Sequence, residues 1–294
     1  MLVTIFYHID EFCKTLEKEL GSRALSNKEK LKKRDQSLTL SEVMTICIYY
    51  HYSGYKTFKD YYCKYVLVHM NNEFKSLVSY SRFIELKKTA VLPLALFLKL
   101  CCSGACTGIS IIDSFSLQVC HNRRIQSHKV FKDIAQRGHT SMGWFYGFKV
   151  HFVINHQGEI IDFYLSTGNV ADNNPEVLKQ LTTNIFGKLI GDKGYIVNQA
   201  LFEQLFVNGV HLITKVRKNM KNKLMPLFDK LLLRKRGTIE SSIGILKESF
   251  SIEHSRHRSS TNFLNYIFSS LTAYFFKPNK PSIIDLNATL LQSA

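Results

Sequence analysis

Apolar residues recur at helical intervals through Leu2–Leu20, Leu40–Tyr52, Phe58–Met70 and Phe83–Leu100, which predicts an all-helical region over residues 1–107. Thr39 or Ser41 caps the run that starts at Leu40. Ser53-Gly54-Tyr55-Lys56-Thr57 then breaks one helix and caps the next, the outline of a helix-turn-helix whose second helix carries Lys59 and Lys64. Past a small, Gly-containing stretch at 101–108 the period changes from helical to alternating. Ile109, Ile111, Phe115, Leu117 and Val119 alternate with Ser110, Ser114, Ser116 and Gln118, a strand. Residues 121–143 are polar and basic and read as a long loop. Phe148–Ile154 and Ile160–Leu165 form a hairpin across a turn at 156–159. Asn174-Pro175-Glu176 opens a helix with Pro near its first position, running to about Thr183. Leu189-Ile190-Gly191 is a short strand, Ala200–Phe206 a helix and Val210–Val216 another strand. A basic loop over 215–235 follows. Ile239, Ile243, Leu246 and Phe250 then repeat at steps of 4, 3 and 4, the stripe of a last helix. The order β-β-β-α-β-α-β-α predicts a mixed α/β sheet flanked by helices, with ligands gathering at strand ends.

Two acids break this pattern. Asp113 falls on the apolar face of the first strand, where an unpaired carboxylate is costly. It therefore needs a cationic partner or an open sheet edge facing a metal. Glu240 sits one residue off the stripe of the last helix, with Lys247 seven residues on along the same face and Arg236 four residues before. Asp192 follows the fourth strand directly. Three separated carboxylates that converge in this way coordinate hard divalent cations through oxygen. A pair of such ions about 3.5–4 Å apart supports phosphoryl transfer without a protein nucleophile. Asp162, Asp172, Glu248 and Glu253 are acids of the right type in less favourable places. Asp172 and Glu253 fall in loops, Glu248 faces solvent and Asp162 lies inside a strand.

Charge narrows the partner. The chain of 294 residues carries a formal net charge of +16, with 39 Lys+Arg against 23 Asp+Glu. Between Thr214 and Arg258 there are 12 basic and 4 acidic residues. So concentrated a positive field points to a phosphate backbone. No lipid anchor or basic amphipathic helix accompanies it, so nucleic acid is preferred over a membrane. No apolar run reaches membrane-spanning length and no signal peptide opens the chain. Seven scattered cysteines suggest reduced thiols in a cytosol, and their spacing is not that of a zinc site. Trp144, the only tryptophan, adjoins the polar segment; packing is its ordinary role, and stacking on an unpaired base is the alternative.

Four motifs carry a family resemblance. They are Ile111-Ile112-Asp113-Ser114, Tyr146-Gly147-Phe148-Lys149-Val150-His151, Ile190-Gly191-Asp192-Lys193-Gly194-Tyr195, and Arg236-Gly237-Thr238-Ile239-Glu240 with Lys247. In this order the chain resembles a DDE-type transposase of a bacterial insertion sequence, with a ribonuclease H-like catalytic core, over about residues 38–276. Arg236, Glu240 and Lys247 match the spacing of the Tyr-Arg-Glu-Lys signature of one transposase branch, in a compact subgroup. Leu233 stands where that signature has its Tyr. The tail at 254–259 resembles the same subgroup.

The resemblance implies a helix-turn-helix DNA-binding region at 1–107, a catalytic domain at 108–276 and a tail at 277–294. It implies Asp113, Asp192 and Glu240 as catalytic metal ligands for Mg2+ or Mn2+, with two ions. Arg236 and Lys247 would meet phosphates near the cleaved bond. Lys149, Lys193, Arg123, Arg124, Lys215, Arg217 and Lys218 would follow the DNA backbone. The partners are double-stranded DNA, as terminal inverted repeats and target, and a second copy of the chain in the DNA complex. The expected location is the cytoplasm, with the nucleoid. A nuclease that cuts without joining, and a DNA-binding protein with an inactive core, are the alternatives.

Overall fold

A computed structural model describes residues 1–26, 38–216, 224–254 and 257–283. Arg217 and Lys218 lie outside the described residues. Two compact units are resolved: Met1–Cys102 with Glu248–Ile252 and His257–Phe276, and Ser103–Lys247 with Glu253–Arg256 and Lys277–Ala294.

The first unit is helical: α1 (Leu2–Ser26), α2 (Leu40–Tyr49), α3 (Phe58–Tyr61), α4 (Leu67–His69), α5 (Tyr80–Thr89) and α6 (Val91–Cys101). Thr39 caps α2 through a full capping box, its side chain accepting from Glu42 N–H while Glu42 reaches back to the Thr39 N–H. Thr57 caps α3 in the same manner, accepting from Asp60 N–H. Both start signals predicted from sequence are thus realised. Between α3 and α4 the backbone widens into a π turn, Tyr62–Val66. Lys59 and Lys64 are exposed on this second helical segment, and Lys64 pairs with Asp60 at 2.6 Å. A helix that the sequence pattern does not mark, α11 (Ser260–Phe276), packs against α2, α5 and α6. It buries Phe263, Ile267, Leu271 and Tyr274 there, and Asn265 donates to the Lys87 carbonyl at 3.1 Å. The sequence groups this segment with 108–276; by packing it lies with the first unit.

The second unit is a six-stranded mixed sheet: β1 (Ile109–Cys120), β2 (Gln136–Thr140), β3 (Gly143–Asn155), β4 (Ile160–Thr167), β5 (Gly187–Gly191) and β6 (Val210–Thr214). Its helices are α7 (Pro175–Leu181), α8 (Gln199–Val207), α9 (Leu227–Lys235) and α10 (Gly237–Gly244). β3 pairs antiparallel with β1 and β4, while β5 lies parallel to β1 and β6 parallel to β5. Leaving aside β2, which extends β3 into a hairpin, the order is β4-β3-β1-β5-β6. That is a ribonuclease H-like mixed sheet, as the family resemblance implies; the alternation along the chain predicts the mixed sheet itself.

Ile112, Leu189 and Leu212 face α7 and α8, whose Val177, Leu178, Leu201 and Leu205 complete one core. The opposite sheet face meets α9 and α10. Two elements correct the reading of sequence. The supposed loop at 121–143 contains β2, an edge strand of mostly exposed polar residues. The supposed basic loop at 215–235 contains α9, which buries Leu231, Leu232 and Leu233. Asp229 of α9, 2% exposed, pairs with Lys188 of β5 and fixes the helix to the sheet. Leu233, at the position where a Tyr was expected, is thus a core residue, 7% exposed.

Candidate functional site

Strand order decides where chemistry can gather. β1 and β5 are parallel neighbours in register at Ile111 and Ile190, so the carboxyl end of β5 emerges beside the first half of β1. β5 stops at Gly191 and the next residue is Asp192; β1 continues through Asp113. The two acids are therefore neighbours across adjoining strands. Asp192 caps a short 3-10 turn, accepting from the Gly194 N–H at 2.6 Å.

Asp113 faces the helix side of the sheet, as its parity with Ile111 requires, and there it finds the cation that the sequence demanded. Arg236 Nη1 donates to Asp113 Oδ2 at 3.1 Å, and Arg236 Nη2 donates to Glu240 Oε1. A single guanidinium thus bridges the acid of β1 and the acid of α10. The fork geometry of arginine holds two carboxylates at once. Gly237 does not break the register: Arg236 and Glu240 sit one helical turn apart. The backbone N–H of Ser114 also donates to Asp113 Oδ1 at 2.8 Å.

Burial pushes the Asp113 carboxyl up to about 6, and the charges of Asp192 and Asp172 push it the same way, against the Ser114 N–H and Arg236. Three charged groups, Arg236 and the acids Asp192 and Asp172, are therefore felt at Asp113.

Asp172 is the residue that sequence reasoning set aside. It lies in the segment after β4, yet its Oδ1 accepts from Ser114 Oγ at 2.7 Å and from Lys149 Nζ at 3.2 Å. His151, fully buried, has its Nδ1 3.8 Å from the same oxygen, while its Nε2 meets Ser166 Oγ at 2.9 Å. Burial pulls His151 down to about 4, so the ring is neutral at pH 7. Ser114, Lys149 and His151 come together because Ser114 pairs with His151, and Ser116 with Lys149, in the β1–β3 register. Gly194 completes the arrangement. A Cβ there would stand 2.9 Å from Asp192 Oδ1 and 3.1 Å from Asp172 Oδ2. Only a residue without a side chain leaves both carboxylates where they are.

The basic residues divide. Lys149 is 8% exposed and its ammonium is taken up by Asp172 and by the Val170 carbonyl at 3.0 Å. It orders the acidic cluster around Asp172. Lys193, Arg123, Arg124 and Lys215 are exposed. Lys247 lies in the π turn Ile245–Ser249 that continues α10, with its Nζ 5.7 Å from the Phe115 ring centroid and 2.7 Å from Glu253 Oε1. It is placed over the strand of Asp113, two residues along.

A family model described as Transposase DDE domain matches residues 103–260. The chain belongs to that family. All three acids of the predicted triad, and Asp172, fall within the matched transposase domain. No curated protein matches the chain. Among solved structures the chain is similar to one titled "Crystal structure of the Mos1 Strand Transfer Complex", at 12% identity over 89% of this chain and 84% of that one, with a TM-score of 0.24.

DDE transposase domains generally use divalent metal ions. The donor chemistry of this transposase domain fits such ions: the acids offer only hard oxygens, and the burial that raises Asp113, with the added charges of Asp192 and Asp172, is what a cation would offset. Among the described residues no group of three or more His, Cys, Asp or Glu side chains is gathered as a ready metal cage. The bridge explains this, since Arg236 holds oxygens of both Asp113 and Glu240. No described helix is long and apolar enough to cross a membrane, and all seven cysteines are free thiols.

Proposed function

We propose that this chain is the transposase of a bacterial insertion sequence, acting in the cytoplasm on nucleoid DNA. In this reading it binds the terminal inverted repeats, cuts the DNA 3′ ends by metal-assisted hydrolysis and joins the freed 3′-hydroxyls to target DNA. The observation that carries the reading is the convergence of Asp113 and Glu240 on one guanidinium, beside Asp192 and Asp172.

Asp113, Asp192 and Glu240 would hold two Mg2+ or Mn2+ ions. Such ions supply an activated water or 3′-hydroxyl and neutralise the leaving oxygen. Arg236, released from its two carboxylates, is then positioned for the scissile phosphate, and Lys247 for the next one. Lys193, Arg123, Arg124 and Lys215 follow the strand beyond. The helical unit supplies end recognition through its capped helices. Pairing of two ends calls for two copies of the chain in the DNA complex.

The test is a cleavage and joining assay with the element's own ends in Mg2+. Asp113→Asn, Asp192→Asn and Glu240→Gln should each lose more than about 100-fold of both activities, since even the partners of metal ligands are worth 10–100-fold. End binding should stay within a few-fold. A variant that still cuts at the wild-type rate removes that residue from the ligand set. Joining of pre-cut ends distinguishes a transposase from a nuclease that only cuts.

A further inference from the structure

The hairpin of β2 and β3 displays the chain's single tryptophan. Trp144 is 57% exposed, so it is not a core residue. Its neighbours are polar. The Arg137 guanidinium carbon lies 5.1 Å from the Trp144 ring centroid, and the His139 ring meets it edge-on at 5.0 Å. His139 sits directly opposite Trp144 in the hairpin register. Asn122 Nδ2 donates to the Trp144 carbonyl at 2.7 Å, which fixes the backbone that presents the ring.

Arg137, His139 and Trp144 line a groove of about 500 Å³ together with Asn169, Asp172 and Asn173, and Lys149 and Gly194 also border it. The groove therefore runs from the exposed ring to Asp172, whose Oδ1 meets Ser114 beside Asp113. Asp172 is its one carboxylate, and Lys149 compensates that charge.

We propose that this groove binds an unpaired nucleotide of the DNA strand that leads to the acidic cluster. A base within a duplex has both faces stacked, so only an unpaired base can use an aromatic ring. The ring gives a stacking platform indifferent to base identity, and the guanidinium beside it serves the adjoining phosphate. Asn169 and Asn173 border the same space; Asn173 Nδ2 is held by the Ile196 carbonyl and Asn169 Oδ1 by Thr167 Oγ1, which leaves the Asn173 Oδ1 and Asn169 Nδ2 ends as candidates for a base edge. The assignment rests on the reading that these acids act on DNA.

Because Trp144 is the only tryptophan, its fluorescence reports this groove alone. The experiment titrates the full chain, in EDTA, with a blunt DNA duplex and with the same duplex carrying a short single-stranded extension. The extended duplex should quench Trp144 saturably and the blunt one should not. Trp144→Ala should weaken binding of the extended duplex about 10-fold, a typical loss for one stacked base, with blunt-duplex affinity unchanged. Trp144→Phe should retain affinity within about 2-fold of wild type. Equal quenching by both duplexes, or no affinity loss in Trp144→Ala, overturns the assignment. No step of this assay requires cleavage. A protein that shows extension-dependent quenching but never cuts in Mg2+ would retain the groove and refute the transposase reading; one that cuts without such quenching would do the reverse.

Discussion

Asp113 titrates above the range of an ordinary carboxyl, and the direction has a consequence for stability. Its folded-state value of about 6 lies above that of a free carboxyl, near 4. Between these values the folded protein holds a proton that the unfolded chain has lost. The contribution of Asp113 to stability is therefore most favourable below about pH 4, falls as pH rises, and carries its full cost above about pH 6. Asp113→Asn cannot ionise, so at about pH 8 it should unfold at a higher temperature than wild type, by on the order of 2 kcal/mol, the gap closing toward pH 4. Added Mg2+ should raise the wild-type unfolding temperature at pH 8 and leave that of Asp113→Asn nearly unchanged. Gly194→Ala tests the crowding between Asp192 and Asp172. The methyl should leave thermal stability close to wild type, because flexible carboxylates can move aside, while lowering cleavage about 10–100-fold. Asp172→Asn should lower cleavage by a similar factor with end binding intact, since it removes the charge that Lys149 and Ser114 hold in place.

At the level of elements, β1, β3, β4, β5 and β6 were legible because each carries apolar residues with its own strand period, and Asn174 and Thr39 announce their helices chemically. Asp113 was legible as an anomaly, an acid on an apolar face, and helical spacing set Arg236 beside Glu240, but that Arg236 also meets Asp113, 123 residues away, was not legible. β2 was not legible: an edge strand of Gln136, Arg137, Gly138, His139 and Thr140 has no buried alternation to betray it. α9 was hidden by its cations, although Leu231-Leu232-Leu233 supplies a buried side. Asp172 owes its place to hydrogen-bond partners 23 and 58 residues away, which no local pattern encodes. The anchor of α9 offers a direct measurement. Lys188→Ala leaves Asp229 buried and uncompensated, and should cost about 3–5 kcal/mol in chemical denaturation. The double variant Lys188→Met, Asp229→Leu should recover most of that loss.

On the scale of the whole molecule, a net charge of +16 means that affinity for DNA should be strongly dependent on salt. The logarithm of the binding constant should fall linearly with the logarithm of salt concentration, with a slope of about −0.9 for each phosphate neutralised. Replacing Arg123 and Arg124 together by Ala should flatten that slope by about 2, while Lys149→Ala should leave it unaltered because its ammonium is already spoken for. The guanidinium bridge between β1 and α10 has one more consequence, in the order of synthesis. Domains form from the N-terminus as the chain leaves the ribosome. Asp113 and Asp192 emerge long before Arg236 and Glu240 do. A nascent or prematurely terminated chain therefore carries two acids without the third, and the bridge that joins them can close only once translation has passed α10.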